Sequence, residues 1–101
     1  MRFLVHITCP LEPFNSYVRD GSAGAKISRI LEATKPESIY FSAMEGLRSA
    51  VAVYDVKNES DIPSIAEPWF LIFEAECQFD VAMSPEDLQD AGLEDLGQKW
   101  G

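Results

Sequence analysis

Histidine, cysteine and positive charge are all scarce in this chain. Its 101 residues include one histidine, two cysteines and eight lysines or arginines, against seventeen acids, for a formal charge of -9. A single histidine with no ligand cluster around it argues against a zinc site, so no metal is expected. The negative field repels phosphate backbones and anionic lipid surfaces, so neither nucleic acid nor membrane is an expected partner. Long apolar runs are missing too. Val51–Val56 and Trp69–Phe73 are short, well below the roughly 20 residues of a membrane span. The N-terminus opens directly on Phe3, Leu4 and Val5, with no basic segment, apolar stretch and small-residue cleavage site, so secretion is not indicated and a cytoplasmic location is expected. Cys9 and Cys77 lack CxxC spacing. They could meet in a disulfide if the first and last strands are neighbours, but two buried thiols fit a reducing compartment better.

What the chain does have is a 47% hydrophobic content, enough for one domain with an ordinary core over residues 1–101. The apolar spacing predicts strands over Arg2–Thr8, Ser38–Ala43, Leu47–Val56 and Glu74–Ala82, and helices over Gly24–Thr34 and Ser60–Phe70. That order, β-α-β-β-α-β, is α+β and ferredoxin-like: an antiparallel sheet with helices on one face. Glu45-Gly46 supplies a turn in which Gly46 can take a positive φ. Pro63 suits a first helical turn, whereas Pro68 is expected to kink or end its helix. Ser84-Pro85-Glu86-Asp87 is a strong helix start and opens a helical tail over residues 84–101.

One long helix from Pro13 to Thr34 is argued against by its periodicity. Phe14, Tyr17 and Val18 cluster on one side, and Ala23, Ile27, Ile30 and Leu31 on nearly the opposite one. A break near Gly21–Gly24 is expected, with Phe14–Arg19 as a short turn or loop segment and Ser22–Thr34 as the packed helix.

Phe3, Val5 and Ile7 suit the helix-covered face of the sheet. The face pointing away is read as Leu4, His6, Tyr40, Ser42, Arg48, Ala50, Ala52, Tyr54, Glu76 and Gln78, neither fully polar nor fully apolar. Small residues flanked by tyrosines would suit close approach of a second sheet, so a homodimer is expected. Two such sheets would enclose either a wet interface or a ligand cavity.

The element order in a chain of this length resembles the dimeric α/β-barrel group of ferredoxin-like proteins, which includes muconolactone-isomerase-like enzymes and cofactor-free monooxygenases. Three segments further resemble a bacterial family of unknown function: Glu12-Pro13-Phe14-Asn15 through Arg19-Asp20-Gly21-Ser22-Ala23-Gly24, then Ile65-Ala66-Glu67-Pro68-Trp69-Phe70, and Met83-Ser84-Pro85-Glu86-Asp87-Leu88. The resemblance implies a dimeric barrel that binds a small organic molecule, with isomerase or oxygenase chemistry that needs no cofactor. It carries no catalytic motif to transfer. Some relatives bear the label pantothenate synthetase, but this chain lacks the paired-histidine nucleotide motif of that activity.

Within such a cavity His6 is the candidate general base, with Glu76 as its carboxylate partner. Tyr40 and Tyr54 could donate to a ligand oxygen, and Arg48 could hold the carboxylate of a small organic acid. Each also has a plain structural use in a strand or an ion pair. Asp20–Gly24 with Lys26 and Arg29 could bind an anion at a helix start, but Asp20 opposes this and a glycine kink explains it better. A non-catalytic dimerisation or regulatory module is the competing reading. Convergence of His6, Arg48 and a carboxylate on one open volume is what an enzyme would require.

Overall fold

Strand β1 (Arg2–Thr8) lies between β3 (Ser49–Asp55) and β4 (Glu76–Ala82), antiparallel to both, and β2 (Ser38–Ser42) pairs antiparallel with β3. The computed structural model, which describes Met1–Gly101, thus holds one open four-stranded sheet in the order β2-β3-β1-β4, with β2 and β4 at its edges. Helices α1 (Leu11–Asp20), α2 (Ala23–Thr34) and α3 (Ile62–Phe73) pack on one face, and α4 (Pro85–Asp90) and α5 (Leu93–Trp100) follow β4 as a tail. The architecture is α+β and consistent with a ferredoxin-like arrangement.

The alternation of β1 sets which face is covered. Phe3, Val5 and Ile7 stand opposite Tyr54, Ala52 and Ala50 of β3, and opposite Val81, Phe79 and Cys77 of β4. Phe3, Val5, Ile7, Ala50, Ala52 and Tyr54 are all buried. Ala50, Ala52 and Tyr54 therefore lie under the helices, not on the bare face where the sequence reading put them. The bare face takes Val51 and Val53 in their place, opposite His6 and Leu4. The physical reason is volume. Trp69, Phe73 and Tyr54 are the bulky residues of this layer, and alanines beside them leave room for those rings.

The expected break falls at Gly21, which takes φ +80°. Its N–H donates to the Val18 carbonyl and that of Ser22 to the Tyr17 carbonyl, a Schellman ending that only a left-handed residue permits. The segment before the break is a helix rather than a turn or loop. Phe14 and Tyr17 project from it onto Phe73, with ring centroids 4.8 and 5.6 Å away, and the Tyr17 hydroxyl donates to the Ile72 carbonyl at 2.8 Å. Because α1 and α2 are separate bodies, Phe14 and Tyr17 of one stripe and Ile27, Ile30 and Leu31 of the other all reach the core, while Val18 stays exposed. Pro68 does not end α3, which continues to Phe73. It gives up the bond to the carbonyl four residues back, while the buried Trp69 and Phe73 beyond it hold the last turn in the core.

Ser84 caps the tail as its sequence predicts. Its hydroxyl accepts from the Asp87 N–H at 3.1 Å and the Asp87 carboxylate accepts from the Ser84 N–H at 3.0 Å, a reciprocal capping box. These bonds hold the Asp87 carboxyl below its usual pKa. Neither α4 nor α5 buries a residue.

Candidate functional site

On the bare face, β1 sets His6 opposite Gln78 of β4 and Val51 of β3, and β2 sets Tyr40 opposite Val51. His6 Nε2 lies 3.8 Å from the Asp80 carboxylate, which also accepts from Gln78 Nε2 at 3.3 Å. Glu76, the partner expected for His6, sits instead across from Thr8. Both acids are diagonal neighbours of the histidine in this register, and Asp80 is the one that reaches it. The His6 and Asp80 side chains are 37% and 53% exposed, so water screens the pair and it adds little to stability. With Thr8, Gln78 and the turn residues Met44, Glu45 and Leu47, His6 lines an open depression of about 480 Å³. Tyr40 stands out into solvent, 74% exposed.

Arg48 belongs to the other side of the sheet. Its backbone carbonyl accepts from the Cys9 N–H at 2.9 Å, which pins the start of β3 against the end of β1. The side chain runs under α1, where Nη1 donates to Asn15 Oδ1 at 2.8 Å and the guanidinium lies 4.5 Å from the centre of the Phe14 ring. Two contacts of different kinds thus hold one plane in place: a hydrogen bond from the fork and a cation–π contact against its face. Beside it is a hollow of about 230 Å³, walled by Ile7, Phe14, Ile27 and Trp69, with Arg48, Ser42 and Ser49 as polar members. No carboxylate or imidazole lines this hollow, and Arg48 makes no ion pair. Cys9 also borders it. Burial pushes the Cys9 thiol up in pKa, and Arg48 opposes that rise.

Tyr54 is buried at the far end of β3 from Arg48, with its hydroxyl 2.7 Å from Thr34 Oγ1. Burial, with the nearby Cys77 thiol adding to it, raises its phenol pKa, and the Trp69 indole N–H opposes the rise. The Trp69 indole N–H is near enough for that effect yet makes no hydrogen bond of good geometry. Tyr54 is a core residue and is closed to any ligand on the bare face.

The five candidate side chains therefore divide between two surfaces. His6, Tyr40 and Glu76 share the bare face with Asp80, while Arg48 and Tyr54 lie on the helix side. His6 and Arg48 do not converge on one volume within a subunit. Sequence reasoning missed Asp80, which its diagonal register to His6 could have suggested. It also missed Asn15 and Phe14, whose roles depend on α1 being a helix laid over Arg48. No family model matches the chain, and no curated protein does.

Proposed function

We propose that this protein is the subunit of a homodimeric α/β barrel and that it binds a small, largely apolar carboxylic acid in the hollow beneath Arg48. The observation that carries the reading is a half-buried guanidinium, free of any carboxylate, at the rim of an apolar cavity of about 230 Å³. In a chain with seventeen acids and eight basic residues, a cation kept clear of acids has donors to spare. Asn15 and Phe14 hold its plane in advance, so little ordering cost remains when a carboxylate takes the free N–H groups. The body of the ligand would lie against Ile7, Ile27 and Trp69. With no carboxylate or imidazole in the lining, a bound acid meets no general base there, which favours binding over proton-transfer chemistry.

The semi-apolar bare face, with Leu4, Val51 and Val53 half-buried and Tyr40 exposed, supports the dimer. It also supports a second reading, acid–base chemistry by His6 inside the closed barrel, favoured by the 3.8 Å approach of Asp80. In that reading a second sheet must exclude the water that now screens the pair.

Thermal-shift and calorimetric titration with benzoate, phenylacetate and short branched carboxylates, each beside its neutral amide, test the first reading. The acids should stabilise the protein and the amides should not. Arg48→Gln should weaken binding at least tenfold, in line with the roughly 1.5–3 kcal/mol of a charge-assisted hydrogen bond, and His6→Ala should leave it unchanged. Equal responses to acids and amides, or full affinity in Arg48→Gln, would sink it. Loss of binding in His6→Ala alone would move the ligand to the bare face.

A further inference from the structure

The molecule measures 60 × 28 × 18 Å, with a radius of gyration of 17.1 Å, against about 13 Å for a compact chain of this length. The excess is the tail. Its apolar row, Leu88, Leu93, Leu96 and Trp100, is exposed along its whole length, Trp100 at 78%. Leu93, Leu96 and Trp100 recur at helical spacing on one side of α5. At the root of the tail a second apolar strip is bare, formed by Val81 and Met83 beside Met1. Val81 points to the helix side of the sheet, but α2 and α3 do not cover it.

We infer that each tail packs on a second copy of this chain, crossing to lay its leucine and tryptophan row on the partner's Val81–Met83 strip. The dimer proposed above is the premise of this inference. The tail cannot easily serve its own strip. Only Met83 and Ser84 separate β4 from α4, and the capping box fixes the direction in which α4 leaves. The strip and the row are therefore complementary surfaces of one chain that meet only between copies, the condition for a closed two-fold contact.

Area supports the same occupant. The bare sheet face, four strands wide and five to seven residues long, offers on the order of 400 Å². A stable interface takes about 800 Å² from each partner, so stacked faces alone fall short. The two tail helices, together about 21 Å long, add on the order of 200 Å², and the strip covered in exchange a similar amount, which makes up the difference. A membrane is a poor alternative. Glu86, Asp87, Asp90, Glu94 and Asp95 leave the polar side of the tail strongly acidic, and anionic lipid repels it.

The test is analytical ultracentrifugation of the full chain from 1 to 100 µM, beside the full-length double variant Leu93→Glu/Leu96→Glu and the variant Val81→Glu. Wild type should sediment as a dimer, and both variants should dissociate at least tenfold more readily with unchanged core unfolding, since none of these residues is buried. In Trp69→Phe, which leaves Trp100 as the sole indole, emission should shift to the red on dilution through the dimer–monomer transition. A wild-type dimer that both variants leave intact overturns the tail contact alone and keeps the dimer. A wild-type monomer throughout overturns both, and a compact monomer by small-angle scattering shows that the tail folds back on its own subunit.

Discussion

The Tyr54 and Thr34 hydroxyls meet at 2.7 Å, joining the end of β3 to the last turn of α2. Thr34 Oγ1 already donates its one proton to the Ile30 carbonyl at 2.8 Å, so the phenol is the donor in this pair. The consequence is an asymmetry between the two deletions. Tyr54→Phe leaves Thr34 with its donated bond and should cost about 1 kcal/mol, whereas Thr34→Val strands a buried phenol O–H and should cost about 1–3 kcal/mol. Urea midpoints at constant slope measure both. A larger loss in Tyr54→Phe than in Thr34→Val would reverse the assigned donor.

Neighbouring β3 positions should respond in opposite ways to added bulk. Ala52 is fully buried between Val5 and Ile39, so Ala52→Leu should destabilise the fold by about 1–3 kcal/mol through overpacking, and Ala52→Arg should prevent folding. Val53→Ile, on the bare face, should change monomer stability by less than about 0.5 kcal/mol. Chemical denaturation of the three variants checks the order.

That contrast shows where the sequence was legible. In β1 and β4 one alternate set is plainly more polar, so Phe3, Val5 and Ile7, and Cys77, Phe79 and Val81, could be assigned to the helix side at once, as the pairing bears out. In β3 both sets are apolar, and the larger valines sit on the bare face while alanines lie beneath the rings. Hydrophobicity alone points the wrong way there, because the choice depends on the volume of Trp69 and Phe73, which arrive from α3. Arg48 follows the same logic: its partners Asn15 and Phe14 are set by the angle of α1, a tertiary fact. The capping box at Ser84 and the break at Gly21 were readable because each is settled within a few residues.

One substitution should carry opposite signs three residues apart. Gly21 holds φ +80°, so Gly21→Ala strains the backbone although its new methyl meets nothing within 4 Å, and should cost about 1 kcal/mol. Gly24 lies inside α2 with the same open space around it, and Gly24→Ala should stabilise by about 0.5–1 kcal/mol. Thermal unfolding of the two single variants decides it, and the same sign in both would contradict the Schellman ending.

The two thiols should be silent in the native state. Burial pushes Cys77 up to about 12, with Cys9 adding to the rise, and burial raises Cys9 as well. Ellman's reagent at pH 8 should therefore label neither until the chain is unfolded. The same shifts work against the fold in alkali. Above the ordinary thiol pKa of about 8.5 the unfolded chain loses these protons while the native one keeps them, so the contribution is complete below that pH and declines towards 12. Cys77→Ser should flatten this part of the stability curve.

The open sheet ends on both sides in a strand whose outer backbone groups have no partner in the sheet, and this bears on colloidal behaviour. At neutral pH the charge of -9 holds molecules apart, and Glu76 and Asp80 stand guard along β4 itself. Both protections depend on ionised carboxylates. Near the isoelectric point of about 4.4 the repulsion fades while the unpaired N–H and C=O rows remain, a ready template for strand-to-strand growth between chains. Mild acid should thus bring the protein out of solution as β-rich aggregate at a pH where its core is still folded, and purification is best kept well above that range.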